Sequence, residues 1–109
     1  MASSGIVNSV SFTPSGAGTL IVTCTFSGQR TLGSDWGAGA FYKPFFTQSG
    51  NTIYGDSQAM STSRIAYTSR FQFAVAAGSS VQCGLFGGVT GASACSFWDT
   101  QVTAELIKR

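Results

Sequence analysis

The stretch TLIVTCTF, Thr19 to Phe26, decides the fold class of this chain. Leu20, Val22, Cys24 and Phe26 fall on one parity and Thr19, Thr23 and Thr25 on the other, with Ile21 alone interrupting the polar set. A period of two marks a half-buried β-strand, because successive side chains leave opposite faces of the backbone. β-Branched Val, Ile and Thr fill nearly the whole run, and they favour the pleated conformation.

The same period recurs outward in both directions. Ile6, Val10 and Phe12 alternate with polar residues before TPSGAG, whose Pro14, Gly16 and Gly18 turn the chain. In RIAYTSRFQFAV the apolar positions are Ile65, Tyr67, Phe71, Phe73 and Val75, against Arg64, Arg70 and Gln72, which predicts one long strand or two joined ones. Val81, Cys83 and Leu85 continue the pattern beyond the turn AAGSS. At the end of the sequence, SFWDTQVTAELIKR places Trp98, Val102, Ala104 and Leu106 on one parity and Asp99, Gln101, Thr103 and Glu105 on the other. This last strand is expected to pack, with Lys108 and Arg109 as its solvated end.

Between these runs, SGQRTLGSDWGAGA reads as a loop carrying Asp35 and Trp36, and GGVTGASA as a flexible loop. QSGN turns the chain toward TIYG, and GDSQAMSTS is too polar to assign. In FYKPFFTQ, Pro44 has no amide proton, which predicts an edge strand or a bulge. No segment has helical spacing of comparable strength. Seven to eight short strands separated by Gly/Ser/Asn turns predict an all-β fold, an antiparallel β-sandwich or a small barrel. No linker, composition break or fixed-period repeat divides residues 1–109, so one domain is expected.

Charged residues make up 9% of the 109, against about 25% in ordinary domains. The surface must therefore consist of Ser, Thr, Asn, Gln and Gly, and so few charges make close neighbours tolerable. Association with copies of itself or with a larger assembly is the first functional expectation. The net charge of +2 is scattered over Arg30, Lys43, Arg64, Arg70, Lys108 and Arg109. A nucleic-acid binder concentrates its basic residues on one stripe, so nucleic acid is not an expected partner. Nowhere do 18 uncharged apolar residues run together, so no spanning helix is predicted. MASSGIVNSV lacks the basic and apolar regions of a signal peptide, and the chain is expected to be a complete small soluble product.

Cys24, Cys83 and Cys95 are odd in number, which rules out a fully paired intrachain framework. Cys24 and Cys83 lie on apolar parities and read as core thiols. Pairing of Cys83 with Cys95 across the Gly-rich loop stays open, with a reducing compartment as the default.

Histidine is absent, which removes the usual general base, the usual imidazole ligand and every Ser-His or Cys-His pair. The carboxylates are Asp35, Asp56, Asp99 and Glu105. A glycosidase needs two of them about 5 to 10 Å apart, a condition that Asp35 and Asp56 on neighbouring loops would have to meet. Three dispersed Cys and four isolated acids offer no metal set. GLFGGVTG lacks the GK[ST] ending of a phosphate loop. No enzyme, metal or cofactor is therefore expected.

What remains is contact chemistry. Trp36, flanked by glycines beside Asp35, either stacks on a sugar or protein surface or folds back to cap the core. Phe41 and Phe45 share a parity opposite to Tyr42 and Phe46, so this strand is apolar on both faces. Either the domain covers both, or the second face meets another chain. Asp35, Trp36, Tyr42 and Phe46 are the candidate ligand or partner contacts.

The run FQFAVAAGSSVQCGLFGGVTGASACSFWDTQVTAELIKR resembles the closing strands of small jelly-roll or sandwich modules in tailed-phage virion proteins, namely tail-fibre modules and capsid decoration proteins. The likeness rests on Phe71, Phe73 and Val75, on the turn at Ala77 and Gly78, and on the final strand from Ala104 to Lys108. It spans Phe71 to Arg109 and contains no catalytic motif. The resemblance implies a jelly-roll-like sandwich and a virion structural part, commonly trimeric, made in the host cytoplasm, with capsid or tail proteins as partners. It fits a free-standing decoration, cement or fibre-tip subunit that also aids host attachment. The alternative is a lectin-like, carbohydrate-binding module that takes surface glycans on its loop aromatics.

Overall fold

The computed structural model describes residues 3–32, 39–90 and 93–108, with the backbone alone at 32. Eight strands run in chain order: β1 (Gly5–Phe12), β2 (Gly18–Leu32), β3 (Ala40–Gln48), β4 (Asn51–Tyr54), β5 (Gln58–Ala59), β6 (Ile65–Val75), β7 (Val81–Val89) and β8 (Ala94–Lys108). They form two antiparallel sheets packed as a β-sandwich. One has the order β1-β7-β3-β4, with β5 also on β3, and the other the order β6-β2-β8. The chain changes sheet at every connection except β3–β4 and β4–β5, in the manner of a jelly roll.

The alternation in TLIVTCTF does what its period predicts. Leu20, Val22, Cys24 and Phe26 point into the sandwich and are buried, while the threonines between them face outward. Opposite them the five-stranded sheet contributes Ala40, Tyr42, Phe46, Val81, Cys83 and Leu85, and β6 adds Phe73 and Val75. Phe26 is a hub of aromatic packing, with ring centroids 5.0 Å from Tyr42, 5.3 Å from Tyr67 and 5.2 Å from Phe97. Phe46 stacks on Phe73 at 5.2 Å across the two sheets. Such pairs add roughly 0.5–1.5 kcal/mol each beyond the area they bury.

Three expectations fail locally. SGQRTL is not a loop: β2 runs on through it, because Ser27–Leu32 pairs with the first part of β8, from Ala94 to Trp98. The glycines of GGVTGASA likewise begin inside β7, which ends at Val89. The parity assigned to Trp98 is also reversed. A bulge lies where Thr25/Ser27 meets β8, and Asp99 there has φ 53°. The extra residue turns Trp98 outward, where Arg64 lies 4.1 Å over its ring, while Val102, Ala104 and Leu106 keep packing inward.

Pro44 was expected at an edge or a bulge, yet β3 lies inside its sheet and pairs with β7 without a register shift. In an antiparallel strand a residue's N and C=O address the same side. The Pro44 carbonyl accepts from Gly55 N at 2.9 Å, so its nitrogen also faces the β4/β5 side. There the neighbour is discontinuous, with β4 covering Phe45–Gln48 and β5 covering Phe41 and Tyr42. The missing proton falls in that gap, and no bond to β7 is lost.

QSGN is a two-residue hairpin, with Gln48 paired to Asn51 and left-handed φ of 53° at Ser49 and 78° at Gly50. Gln48 is buried and fully engaged. Its amide nitrogen donates to Ala76 O at 2.8 Å and Ser79 O at 3.0 Å, and its oxygen accepts from Ala76 N at 3.0 Å, which clamps the β6–β7 turn.

Candidate functional site

Because β3 alternates without a break, its odd residues leave the sandwich on the outer face of the five-stranded sheet. Register places Phe41 beside Gly88, Lys43 beside Phe86, and Phe45 between Gly84 and Tyr54; Ile6 lies on the far side of Phe86. Phe45 is 2% exposed and stands outside the inner core cluster. The Lys43 ammonium sits 3.9 Å from the Tyr54 ring centroid, 5.4 Å from Phe86 and 5.6 Å from Phe41. Tyr54 and Phe86 meet edge to face at 5.3 Å. A Cβ at Gly88 would land inside the Phe41 ring, so the absent side chain is what lets that ring lie flat across β7.

This face is divided. Its other end is polar, with the Thr47 and Thr52 hydroxyls 2.9 Å apart and the Gln82 amide donating to the Ser9 hydroxyl at 3.1 Å. Among the described residues no further layer covers the aromatic end, where Tyr54 keeps 43% and Ile6 50% of its surface in water. Aromatic rings are enriched at protein-contact surfaces, whereas lysine is not, so the rings and not the Lys43 charge make this end resemble a contact site. The rings also hold the Lys43 charge where it lies, by attraction worth about 0.5–1 kcal/mol at an exposed site.

A second feature opens on the side where β3 faces the free edge of β6. A cleft of about 300 Å³ is lined by Tyr42, Pro44, Asp56, Gln58, Thr68, Ser69, Arg70 and Phe71. One carboxylate, one guanidinium, an amide and hydroxyls surround two aromatic walls. The Tyr42 hydroxyl is held protonated to higher pH than usual, first by burial and then by neighbouring Tyr67.

The expected contacts divide between these places and the interior. Asp35 and Trp36 lie outside the described residues. Phe46, 3% exposed, is an inter-sheet core residue and not a surface contact, because its parity points at Phe73. Tyr42, 6% exposed, is likewise core for most of its ring and touches only the cleft wall. The idea that this strand is apolar on both faces holds, but the side that faces out of the sandwich is the one with Phe41 and Lys43. Phe86 and Tyr54 were missed because Phe86 lies on the outward parity of β7 and Tyr54 on the four-residue β4, too short to show a period. Only the register across β7 and β4 brings them to Lys43.

The remaining acids do not converge. Asp99 and Glu105 lie on one strand, about 20 Å apart at ~3.3 Å per residue, and Asp56 lines the cleft. Among the described residues no group of three or more His, Cys, Asp or Glu could hold a metal. No helix is long and apolar enough to cross a membrane. Cys24, Cys83 and Cys95 are buried and no disulfide joins any two of them, so Cys83 and Cys95 do not pair. Burial, and then the charge Cys83 would carry, pushes Cys24 up to about 12, and burial pushes Cys83 to about 11. No protein-family model, curated protein or solved structure matches this chain.

Proposed function

We propose that this protein is a non-enzymatic structural subunit that docks on a larger assembly through the outer face of its five-stranded sheet. The observation that carries the reading is the aromatic cluster of half-buried Phe41 and Phe86 and exposed Tyr54 around Lys43. A chain that has so few charges yet leaves rings in water gains most by covering them with a partner. The resemblance of Phe71 to Arg109 to virion modules suggests the assembly: a tailed-phage particle, decorated or cemented at its capsid or built into its tail fibre. Locating the protein on purified particles by electron microscopy, with its copy number, tests this. Particles assembled with a Tyr54→Ala, Phe86→Ala chain should lose the subunit while that chain stays folded. Retention of the double variant at full occupancy would sink the proposal.

A second reading is favoured by the cleft. Asp56, Gln58 and Arg70 beside the Tyr42 and Phe71 rings match the needs of a saccharide, with hydrogen bonds to hydroxyls and an apolar wall for the sugar face. Glycan-array binding that disappears in Asp56→Asn and Arg70→Gln would establish it. A blank array would remove it.

A further inference from the structure

A sandwich has four sheet edges, and each exposes unpaired N–H and C=O groups that will accept another strand unless something prevents it. Three edges of this protein carry such a device. β4 and β5 are four and two residues long. β1 is bulged between Ile6 and Asn8, and the Asn8 amide donates across the sandwich to the Thr100 carbonyl at 3.3 Å and hydroxyl at 3.1 Å. That same contact occupies part of the β8 edge, which is bulged at Asp99 and Thr100 and carries Asp99, Glu105 and Lys108.

β6 has none of these. It is 11 residues long, pairs with β2 from Gly28↔Ile65 to Gly18↔Val75 without a register shift, contains neither Pro nor Gly, and bears Arg70 as its single charge. Among the described residues no strand pairs with its other edge, and the cleft lies along it.

We infer that the free edge of β6 is a docking site for β6 of a second copy of this chain, which joins two three-stranded sheets into one of six strands. An edge of bare backbone groups fits an extended strand and little else. Among the described residues β6 is the one unprotected edge, so copy-to-copy pairing of such edges is isologous. An isologous contact closes at two subunits. The outcome is a two-fold dimer, in place of the three-fold arrangement the virion resemblance implies. Register follows from charge. Arg70 is the central residue of β6, and full overlap would set it opposite its own copy, which is unfavourable. Moving the axis by one residue places Ser69 or Phe71 on it, and Arg70 then faces Thr68 or Gln72 of the partner. This inference does not depend on the aromatic face being a contact.

Sedimentation equilibrium of the whole chain, with amide exchange read along β6, tests it. The wild type should sediment as a dimer at micromolar concentration, with successive β6 amides protected alike, including those that point away from β2. A Thr68→Lys, Gln72→Lys chain sets a lysine opposite Arg70 in either register. It should sediment as a monomer with an unchanged circular dichroism spectrum, and its outward amides should exchange at least tenfold faster. Should that chain fail to fold, the wild-type exchange pattern decides alone, since alternating protection along β6 overturns the proposal. A wild-type monomer at hundreds of micromolar, a trimer, or a dimer that survives both lysines overturns it as well. The Tyr54→Ala, Phe86→Ala chain should still dimerise, which separates failure at the edge from failure of the aromatic face.

Discussion

Phe46→Ala and Phe86→Ala form a matched pair that separates core from contact face. Phe46 is 3% exposed, stacks on Phe73 at 5.2 Å and lies in register with Cys83. Truncating a buried phenylalanine costs about 3–5 kcal/mol, through lost transfer energy and the cavity left behind. A domain of 109 residues has a stability of only about 5–15 kcal/mol, so this one change removes a large part of it. With a urea dependence of about 2 kcal/mol per molar, the midpoint should fall by roughly 2 M. Phe86 is half-buried on the outer face and loses one edge-to-face contact with Tyr54, about 0.5–1.5 kcal/mol, and part of its burial. Its cost should stay at about 1–2 kcal/mol, a midpoint shift of under about 1 M. Urea titrations followed by tryptophan fluorescence and circular dichroism measure both. Equal shifts, or a Phe46→Ala penalty below about 1 kcal/mol, would refute the assignment of inner and outer faces on which the contact reading depends.

The buried thiols give a pH prediction. Below pH 9 Cys24 and Cys83 are neutral in both the folded and the unfolded chain; above it the unfolded chain releases protons that the fold retains up to about 12 at Cys24 and about 11 at Cys83. Stability should therefore be level below pH 9 and fall by about 1.4 kcal/mol per pH unit for each thiol as pH rises through that window, as urea melts from pH 8 to 11 would show. For the same reason a thiol reagent at pH 8 should label these cysteines only after denaturant is added; immediate reaction of the native chain would contradict their burial. Gln48→Leu strips the β6–β7 turn of three hydrogen bonds, and should cost about 1–3 kcal/mol and speed amide exchange at Ala76. Gly88→Val should expel the Phe41 ring from the sheet surface, weakening docking on the particle while leaving a cooperative melt.

The sandwich was legible wherever one side chain face meets the core and the other meets water. TLIVTCTF, RIAYTSRFQFAV and VQCGLF all reveal themselves by period, because register fixes which parity is buried. SGQRTL was not legible, since its strand character comes from Ala94–Trp98 alongside it and not from its own composition. Trp98 misled for a related reason: one bulged residue reverses parity, and nothing in SFWDTQ announces a left-handed Asp99. Pro44 was read correctly as a missing donor, but its tolerance depends on the gap between β4 and β5, which exists only in three dimensions. The Lys43 cluster was half visible. The sequence shows a strand apolar on both faces but points to Tyr42 and Phe46 as the contacts, which is the inner parity; Phe86 and Tyr54 need the pairing of β3 with two neighbours.

The two proposed contacts act in different directions, and this matters for how tightly the protein would hold a surface. The aromatic face is normal to the five-stranded sheet, while the β6 edge extends the three-stranded sheet within its own plane. A two-fold axis perpendicular to that plane keeps both five-stranded sheets on the same side of the joined six strands, so the two aromatic faces of the dimer point the same way. Against a lattice of repeated subunits the second face then binds at an effective concentration set by the first. Avidity exceeds single-site affinity by about 10²–10⁴ where the spacing fits, and by nothing where it does not. A modest cluster of three rings around a lysine is enough for retention under the first condition. The Thr68→Lys, Gln72→Lys chain, monomeric with its aromatic face intact, should accordingly bind particles and wash off far faster than the wild type, and equal dissociation rates would show that the two contacts do not cooperate.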